Sequence, residues 1–173
     1  IHVDIDDAEL NKNIPADLGI HGDMKKILSR LCAMVEKSEK PDWHAHIASL
    51  REYEKKNVFY GSGKLTPKTV IDMVSAEASE KTPIATDVGQ HQMWTAQFYN
   101  FRTPRTFISS GGLGTMGFGM GAAIGASVAT GERTVLVTGD GSFGMNLNEL
   151  ATAVSQRIPL VVVLMNNGVL GMV

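Results

Sequence analysis

The sequence predicts an α/β fold, a parallel sheet carrying helices on both faces, and three observations lead there. Residues 134–138 (TVLVT) and Leu160–Met165 (LVVVLM) are unbroken apolar runs rich in β-branched side chains, the pattern of strands covered on both sides. From residue 66 onward such runs alternate with helix-like stretches, the rhythm of parallel strands joined by right-handed crossovers. The two runs end on Gly139-Asp140-Gly141-Ser142 and Asn166-Asn167. Their polar groups therefore fall at the carboxyl edge of a sheet, where α/β folds bind ligands.

Taken in order, residues 1–5 alternate as a strand, and Asp6-Asp7 caps a short helical turn. Asp23 is an N-cap for a helix to about residue 37, with Met24, Ile27, Leu28, Leu31 and Val35 at helical spacing. Pro41 and Asp42 open another, from about residue 43 to 56, whose Arg, Glu and Lys face reads as solvated surface. Gly61-Ser62-Gly63 reads as a linker, which puts a boundary near residues 55–64 and divides the chain into 1–57 and 58–173. Thr66-Pro67 then caps a helix to about residue 79. Residues 83–87 form a strand, 92–99 a helix and 106–109 a short strand. A helix of small residues runs from about 116 to 129 before the strand at 134–138. A last helix covers 148–156, and Pro159 introduces the final strand.

Composition narrows the classes of function. Of 173 residues 43% are hydrophobic, enough for a true core, and a net charge of −2 gives no reason to expect nucleic acid or an anionic membrane as partner. The single cysteine, Cys32, excludes an internal disulfide, fits a reducing compartment, and reads as a small buried apolar group on its helix. Residues 106–131 carry one charge-free tract, but it is crowded with glycine and poor in large aliphatics, so it reads as close backbone packing and not as a membrane span. The opening IHVDIDD lacks the basic start and apolar run of a signal peptide. It reads as a strand entered halfway, and the final LGMV as an element just begun, so a piece of a longer chain is expected.

One motif admits another reading. Gly112-Leu113-Gly114-Thr115-Met116-Gly117 matches the G-x-G-x-x-G of dinucleotide folds, and Asp140 stands at the end of the next strand, where such folds keep a ribose-binding acid. A nicotinamide or flavin dinucleotide oxidoreductase is therefore an alternative. Against it, the second glycine turn around Asp140 is left unexplained and the Asn pair has no role. A chain entered at mid-fold should also not show its first βαβ unit at residue 106.

If the two apolar strands are parallel neighbours, a carboxylate and an amide oxygen arrive together at one sheet edge. Such hard oxygen ligands suit Mg²⁺, which keeps phosphate oxygens and water in its remaining positions. The two segments thus propose a site for a metal-bound diphosphate. The plainer readings are a turn-capping carboxylate for Asp140 and a left-handed turn residue for Asn167.

With 24 residues between Gly141 and Asn166, the paired segments resemble the signature of thiamine diphosphate enzymes. The stretches from Asp87 to Trp94 (DVGQHQMW) and from Ser110 to Gly117 (SGGLGTMG), with Leu170-Gly171-Met172-Val173, are similar to the large catalytic subunit of biosynthetic acetolactate synthases. IHVDIDDAELNKN and Gly22-Asp23 resemble the end of that family's central, FAD-associated α/β domain. Residues 37–57 match only as a generic helical connection, and Met120-Gly121 stands where many relatives have Leu-Pro.

The resemblance implies a thiamine diphosphate-binding fold, with Asp140, Asn167 and the Val169 carbonyl as ligands of Mg²⁺. It implies backbone contacts to the diphosphate from Val88, Gly89, Gln90 and His91, and from the Gly139–Ser142 segment including Asp140, Gly141 and Ser142. Gly114 would offer its carbonyl to the aminopyrimidine, and Met116 would wedge the cofactor into a bent shape. Met145, Gly171 and Met172 would add apolar and backbone walls. Asp4, Ile5, Gly22 and Asp23 would line part of a flavin pocket, FAD having a non-redox role. The reaction implied is decarboxylation of pyruvate and attack on a second 2-oxoacid, giving 2-acetolactate or 2-aceto-2-hydroxybutyrate for branched-chain amino acids. A different thiamine diphosphate-dependent 2-oxoacid decarboxylase or oxidase is the near alternative. The activating glutamate of the family has no counterpart here, Glu77 and Glu80 lying in the wrong context, so this chain alone is not expected to turn over. A homodimer or tetramer of the parent, a small regulatory subunit, and a cytoplasmic location (plastid or mitochondrial in a eukaryote) complete the expectation.

Overall fold

The computed structural model describes residues 1–57 and 65–172. The chain divides into two compact units, Ile1–Val58 and Phe59–Val173. The Gly61-Ser62-Gly63 stretch read as a linker lies outside the described residues, as does Val173.

In the first unit β1 (His2–Asp4) pairs in parallel with β2 (Gly19–His21), His2 opposite Gly19. Asp6 caps a single 3-10 turn, Asp7–Glu9, by accepting from the Ala8 N–H at 3.0 Å. Asp23 caps α1 (Met24–Met34), its Oδ1 accepting from the Lys26 N–H at 2.9 Å. The helix stops short of residue 37 because Val35 is already extended. Then α2 (Pro41–Asn57) begins at the proline, whose missing N–H costs nothing in a first turn. Ile27 and Leu31, one turn apart, are the half-buried residues of α1, and Cys32 lies off that stripe. It is exposed, which corrects the expectation of a buried apolar group.

The second unit opens with α3 (Pro67–Glu77), where Thr66 accepts from the Thr69 N–H at 3.2 Å and proline occupies the first turn. There follow β3 (Ile84–Thr86), α4 (Gln90–Phe98), β4 (Phe107–Ser109), α5 (Phe118–Thr130) and β5 (Thr134–Gly139). Then come α6 (Asp140–Asn146), a 3-10 turn (Leu147–Glu149), α7 (Leu150–Ser155) and β6 (Leu160–Met165). The four strands form one parallel sheet in the order β4-β3-β5-β6. Every residue of β3 and β5 is buried, as their unbroken apolar character requires. Alternate residues build two cores. Ile84, Val135 and Val137 meet Ile71 of α3 and Trp94 and Phe98 of α4, whereas Ala85 and Leu136 meet Met120 and Ala123 of α5 and Phe143 of α6. The parallel sheet with helices on both faces is therefore present as expected.

Two expectations change. The segment Gly139-Asp140-Gly141-Ser142 is no turn, because Asp140 opens α6 directly from the end of β5. The single helix expected at 148–156 is broken into a 3-10 turn and α7, Asn146 before them having left the helical region at φ −140°. The dinucleotide reading also fails on topology. It needs its glycine turn between neighbouring strands, yet β4 is an edge strand and β3 lies between it and β5. Among the described residues no helix is long and apolar enough to cross a membrane.

Candidate functional site

The strand order reverses direction at β3. From there the chain goes out to β4 on one side and returns as β5 on the other. At such a point the loops leaving two adjacent strands part company and open a crevice at the carboxyl edge. A cavity of about 170 Å³ occupies it. Val88, Gly89, Gln90 and His91 line it after β3, and Gly139, Asp140, Gly141 and Ser142 line it after β5. Gly114 and Met116 come from the turn before α5, and Asn167, Val169, Gly171 and Met172 from the segment after β6. Gly139 pairs with Met165 in the β5–β6 ladder, so Asp140 and Asn166 are the first residues past the same edge.

Three lining residues escape the sequence reading: Trp94, Met165 and Leu170. Trp94 carries a faint signal in its place four residues beyond Gln90, one helical turn along the same face. Leu170 gives none, because its role depends on Gly141. A Cβ built at 141 would lie 2.6 Å from Leu170 Cδ2 and 3.6 Å from Met116 Cε. Met145 does not line the cavity. It is 60% exposed and lies against Gly117, where a Cβ would stand 3.3 Å from its own.

The polar groups are engaged in particular ways. The Asn167 Nδ2 donates to Gln90 Oε1 at 2.9 Å, and Asn167 Oδ1 accepts from the Val169 N–H at 3.2 Å. Ser142, 2% exposed, donates its hydroxyl to the Val88 carbonyl at 2.9 Å and so ties the two loops together. What Ser142 leaves for a ligand is its backbone N–H, one of the first-turn donors that a helix cannot satisfy internally. Gln92 faces elsewhere, its Nε2 donating to Ser109 Oγ at 2.6 Å.

His91 is wedged between the loops. A Cβ at Gly89 would come within 2.7 Å of its ring and one at Gly139 within 2.8 Å, so glycine is what admits the imidazole. Its Nε2 is buried with no hydrogen-bond partner among the described residues. Burial lowers its pKa from the ordinary 6.5, against the opposing pull of Asp87, through charge and a backbone hydrogen bond, and of Asp140. A neutral ring with an unpaired, desolvated nitrogen is suited to a polar ligand atom.

Behind the cavity Asp87, only 1% exposed, accepts from the Gly117 N–H at 2.7 Å and the Thr138 hydroxyl at 3.2 Å. Asn146 Nδ2 donates to the Gly117 carbonyl at 3.2 Å. One buried carboxylate thus braces the turn that carries Gly114 and Met116 against β5. Among the described residues no three His, Cys, Asp or Glu side chains gather as a metal cage. A cation at Asp140 would therefore be completed by amide, carbonyl and phosphate oxygens, a set that suits Mg²⁺.

A larger groove of about 480 Å³ runs between α3 and β6, with Val135, Val161, Val163, Met73 and Val74 among its walls. Glu77 sits there with Thr82 and Arg133, beside the amino ends of the strands and away from the switch-point cavity. In the first unit the Gly22 N–H donates to the Asp4 carbonyl at 2.8 Å, and His21 Nε2 lies 2.8 Å from the Ile5 carbonyl. Asp4, Ile5, Gly22 and Asp23 thus meet at the carboxyl ends of β1 and β2, where the Asp4 and Asp23 carboxylates accept from the Asp6 and Lys26 N–H groups.

Residues 87–173, half of the chain, match the family described as thiamine pyrophosphate enzyme, C-terminal TPP binding domain. The whole chain is 44% identical to part of the acetolactate synthase isozyme 1 large subunit of Escherichia coli (strain K12), covering 31% of that protein. It is 42% identical to part of an acetolactate synthase of Mycobacterium bovis, covering 29%, and 40% identical to part of the isozyme 3 large subunit of Escherichia coli, covering 32%. The chain thus spans about three tenths of the length of these relatives.

Proposed function

Because the chain belongs to the thiamine pyrophosphate enzymes, carrying their C-terminal TPP binding domain, we propose that the switch-point cavity holds the diphosphate of thiamine diphosphate together with Mg²⁺. The observation that carries this reading is the pairing of Gly139 with Met165, which delivers Asp140 and the Asn166-Asn167 segment to one edge beside a glycine-lined cavity. The orphaned, buried Nε2 of His91 supports the fit.

In this reading Asp140, the Asn167 side-chain oxygen and the Val169 carbonyl hold the metal. The backbone N–H groups of Gln90, His91, Gly141 and Ser142, at the starts of α4 and α6, face the phosphates. The charge of a bound diphosphate would favour the protonated ring, and His91 Nε2–H would then donate to a phosphate oxygen. Met116, with Leu170 packed across Gly141, forms the apolar wall against which the rest of the cofactor is set, and the Gly114 carbonyl receives its amino group. When bound, the cofactor supplies the electron sink for cleaving the bond beside a 2-oxoacid carbonyl. Asp4, Ile5, Gly22 and Asp23 contribute to a flavin site, and residues 1–57 and 58–173 correspond to the end of a flavin-associated domain and to the diphosphate-binding domain.

For the parent protein the activity we infer is acetolactate synthesis from two pyruvates, or from pyruvate and 2-oxobutyrate, on the strength of identity across the full chain. The large-subunit names of two of these relatives support a small regulatory subunit, and a dimeric or tetrameric, cytoplasmic or organellar enzyme accords with that activity. Calorimetry on the full-length parent tests the site. Asp140→Ala should abolish the Mg²⁺ dependence of thiamine diphosphate binding, and unchanged dependence would overturn the assignment. Products formed from pyruvate test the activity: acetolactate is expected. Acetaldehyde or acetyl phosphate in its place would transfer the parent to a decarboxylase or oxidase.

A further inference from the structure

The two ends of an asparagine amide have nearly the same shape and opposite meaning for a cation. Oxygen coordinates it, and the NH₂ group repels it. Resting on the reading of the cavity as a Mg²⁺-diphosphate site, we propose that the side chain of Gln90 is a positioning residue that, together with the Val169 N–H, holds the Asn167 amide with its oxygen offered to the cation. One donor here cannot be exchanged for an acceptor, the Val169 backbone N–H. It lies 3.2 Å from Asn167 Oδ1, so that atom must be the acceptor. The other end of the amide must then be the donor, and it meets Gln90 Oε1 at 2.9 Å across 77 residues of sequence. An amide oxygen has two lone pairs. Val169 takes one, which leaves the second for the cation.

Gln90 is itself confined. It is the first residue of α4, and Gly171 passes so close to its amide that a Cβ at 171 would collide with it. The segment after β6 is thereby clamped on both sides, by Asn167 below and Gly171 above. Groups that orient a metal ligand without touching the metal are typically worth roughly 10–100-fold in affinity. The sequence alone does not reveal such a partner, because Gln90 and Asn167 leave different strands.

The test uses the full-length parent and reads Mg²⁺ affinity by calorimetry at fixed thiamine diphosphate. Gln90→Met, of similar length but with only a weak thioether acceptor, should weaken Mg²⁺ roughly 10-fold or more. Thiamine diphosphate affinity at saturating Mg²⁺ should change far less. Gln90→Glu still accepts from the Asn167 NH₂ group and should not show the loss of Mg²⁺ affinity expected of Gln90→Met. The decisive arm is an Asn167→Asp background. Both ends of that side chain carry oxygen, so orientation is irrelevant and Gln90→Met should have no further effect on Mg²⁺ there. A Gln90→Met protein that binds Mg²⁺ as wild type, or an equal loss in the Asn167→Asp background, would overturn the proposal. Asp140→Ala run alongside separates the failures: if it abolishes metal dependence while Gln90→Met leaves Mg²⁺ affinity at the wild-type value, the inference alone falls. If neither variant matters, the site reading falls with it.

Discussion

Asp87 brings a carboxylate into a position only 1% exposed, which is tolerable because the Gly117 N–H and the Thr138 hydroxyl both donate to it. Space beside it is tight. A Cβ at Gly119 would lie 2.8 Å from Asp87 Oδ2 and 2.8 Å from Leu136 Cδ1. Gly119→Ala should therefore destabilise the fold by about 1–3 kcal/mol, read as a lower urea midpoint at unchanged slope. Gly121, on the same helix with nothing within 4 Å of where a Cβ would stand, is the control. There alanine should be neutral or stabilising by up to about 1 kcal/mol, because helical glycine costs backbone entropy. Equal effects at the two sites would show that α5 slides outward to make room. Asp87 itself is visible in the sequence only as a strand-end residue, since its partners lie 30 and 51 positions away.

Helix starts are the most legible elements. Asp23 and Thr66 accept from the backbone N–H three residues on, and each opens its helix where the sequence places it. Thr66→Ala should cost about 1 kcal/mol, measured as a fall in thermal midpoint, and a Thr66→Ser replacement should recover most of it. An unchanged midpoint in the alanine variant would mean that Pro67 alone starts α3. Strand β2 escapes a reading of the sequence because Gly19–His21 is three residues with no apolar run, and only its pairing with β1 makes it a strand. The start of α6 misleads for a related reason. Two glycines around Asp140 suggest a turn locally, but β5 delivers the chain straight into a helix that packs Phe143 on the sheet.

At the scale of the molecule, His91 makes stability depend on pH. Its folded pKa lies below the ordinary 6.5, chiefly through burial. Above that pH the ring is neutral in both states and contributes nothing to the dependence. As pH falls through 6.5 the unfolded chain takes up a proton that the folded chain refuses, so stability declines. In metal-free buffer, unfolding free energy should drop as pH is lowered from above to below 6.5, and His91→Gln should flatten that drop. A variant with the same slope as wild type would show that other groups carry it. Much of this chain is already settled by its residues: the alternation of β-branched runs with helical stretches, the caps, and the polar segments closing the strands. Those follow from propensity and from hydrogen bonds spanning a turn or less. Folding in three dimensions decided the rest. It seated β3 between β4 and β5, which removed the dinucleotide reading, set Met145 against Gly117, brought Leu170 over Gly141, and set Gln90 against Asn167. Each depends on which strands are neighbours and in what register, and no property of a short stretch of chain contains that information.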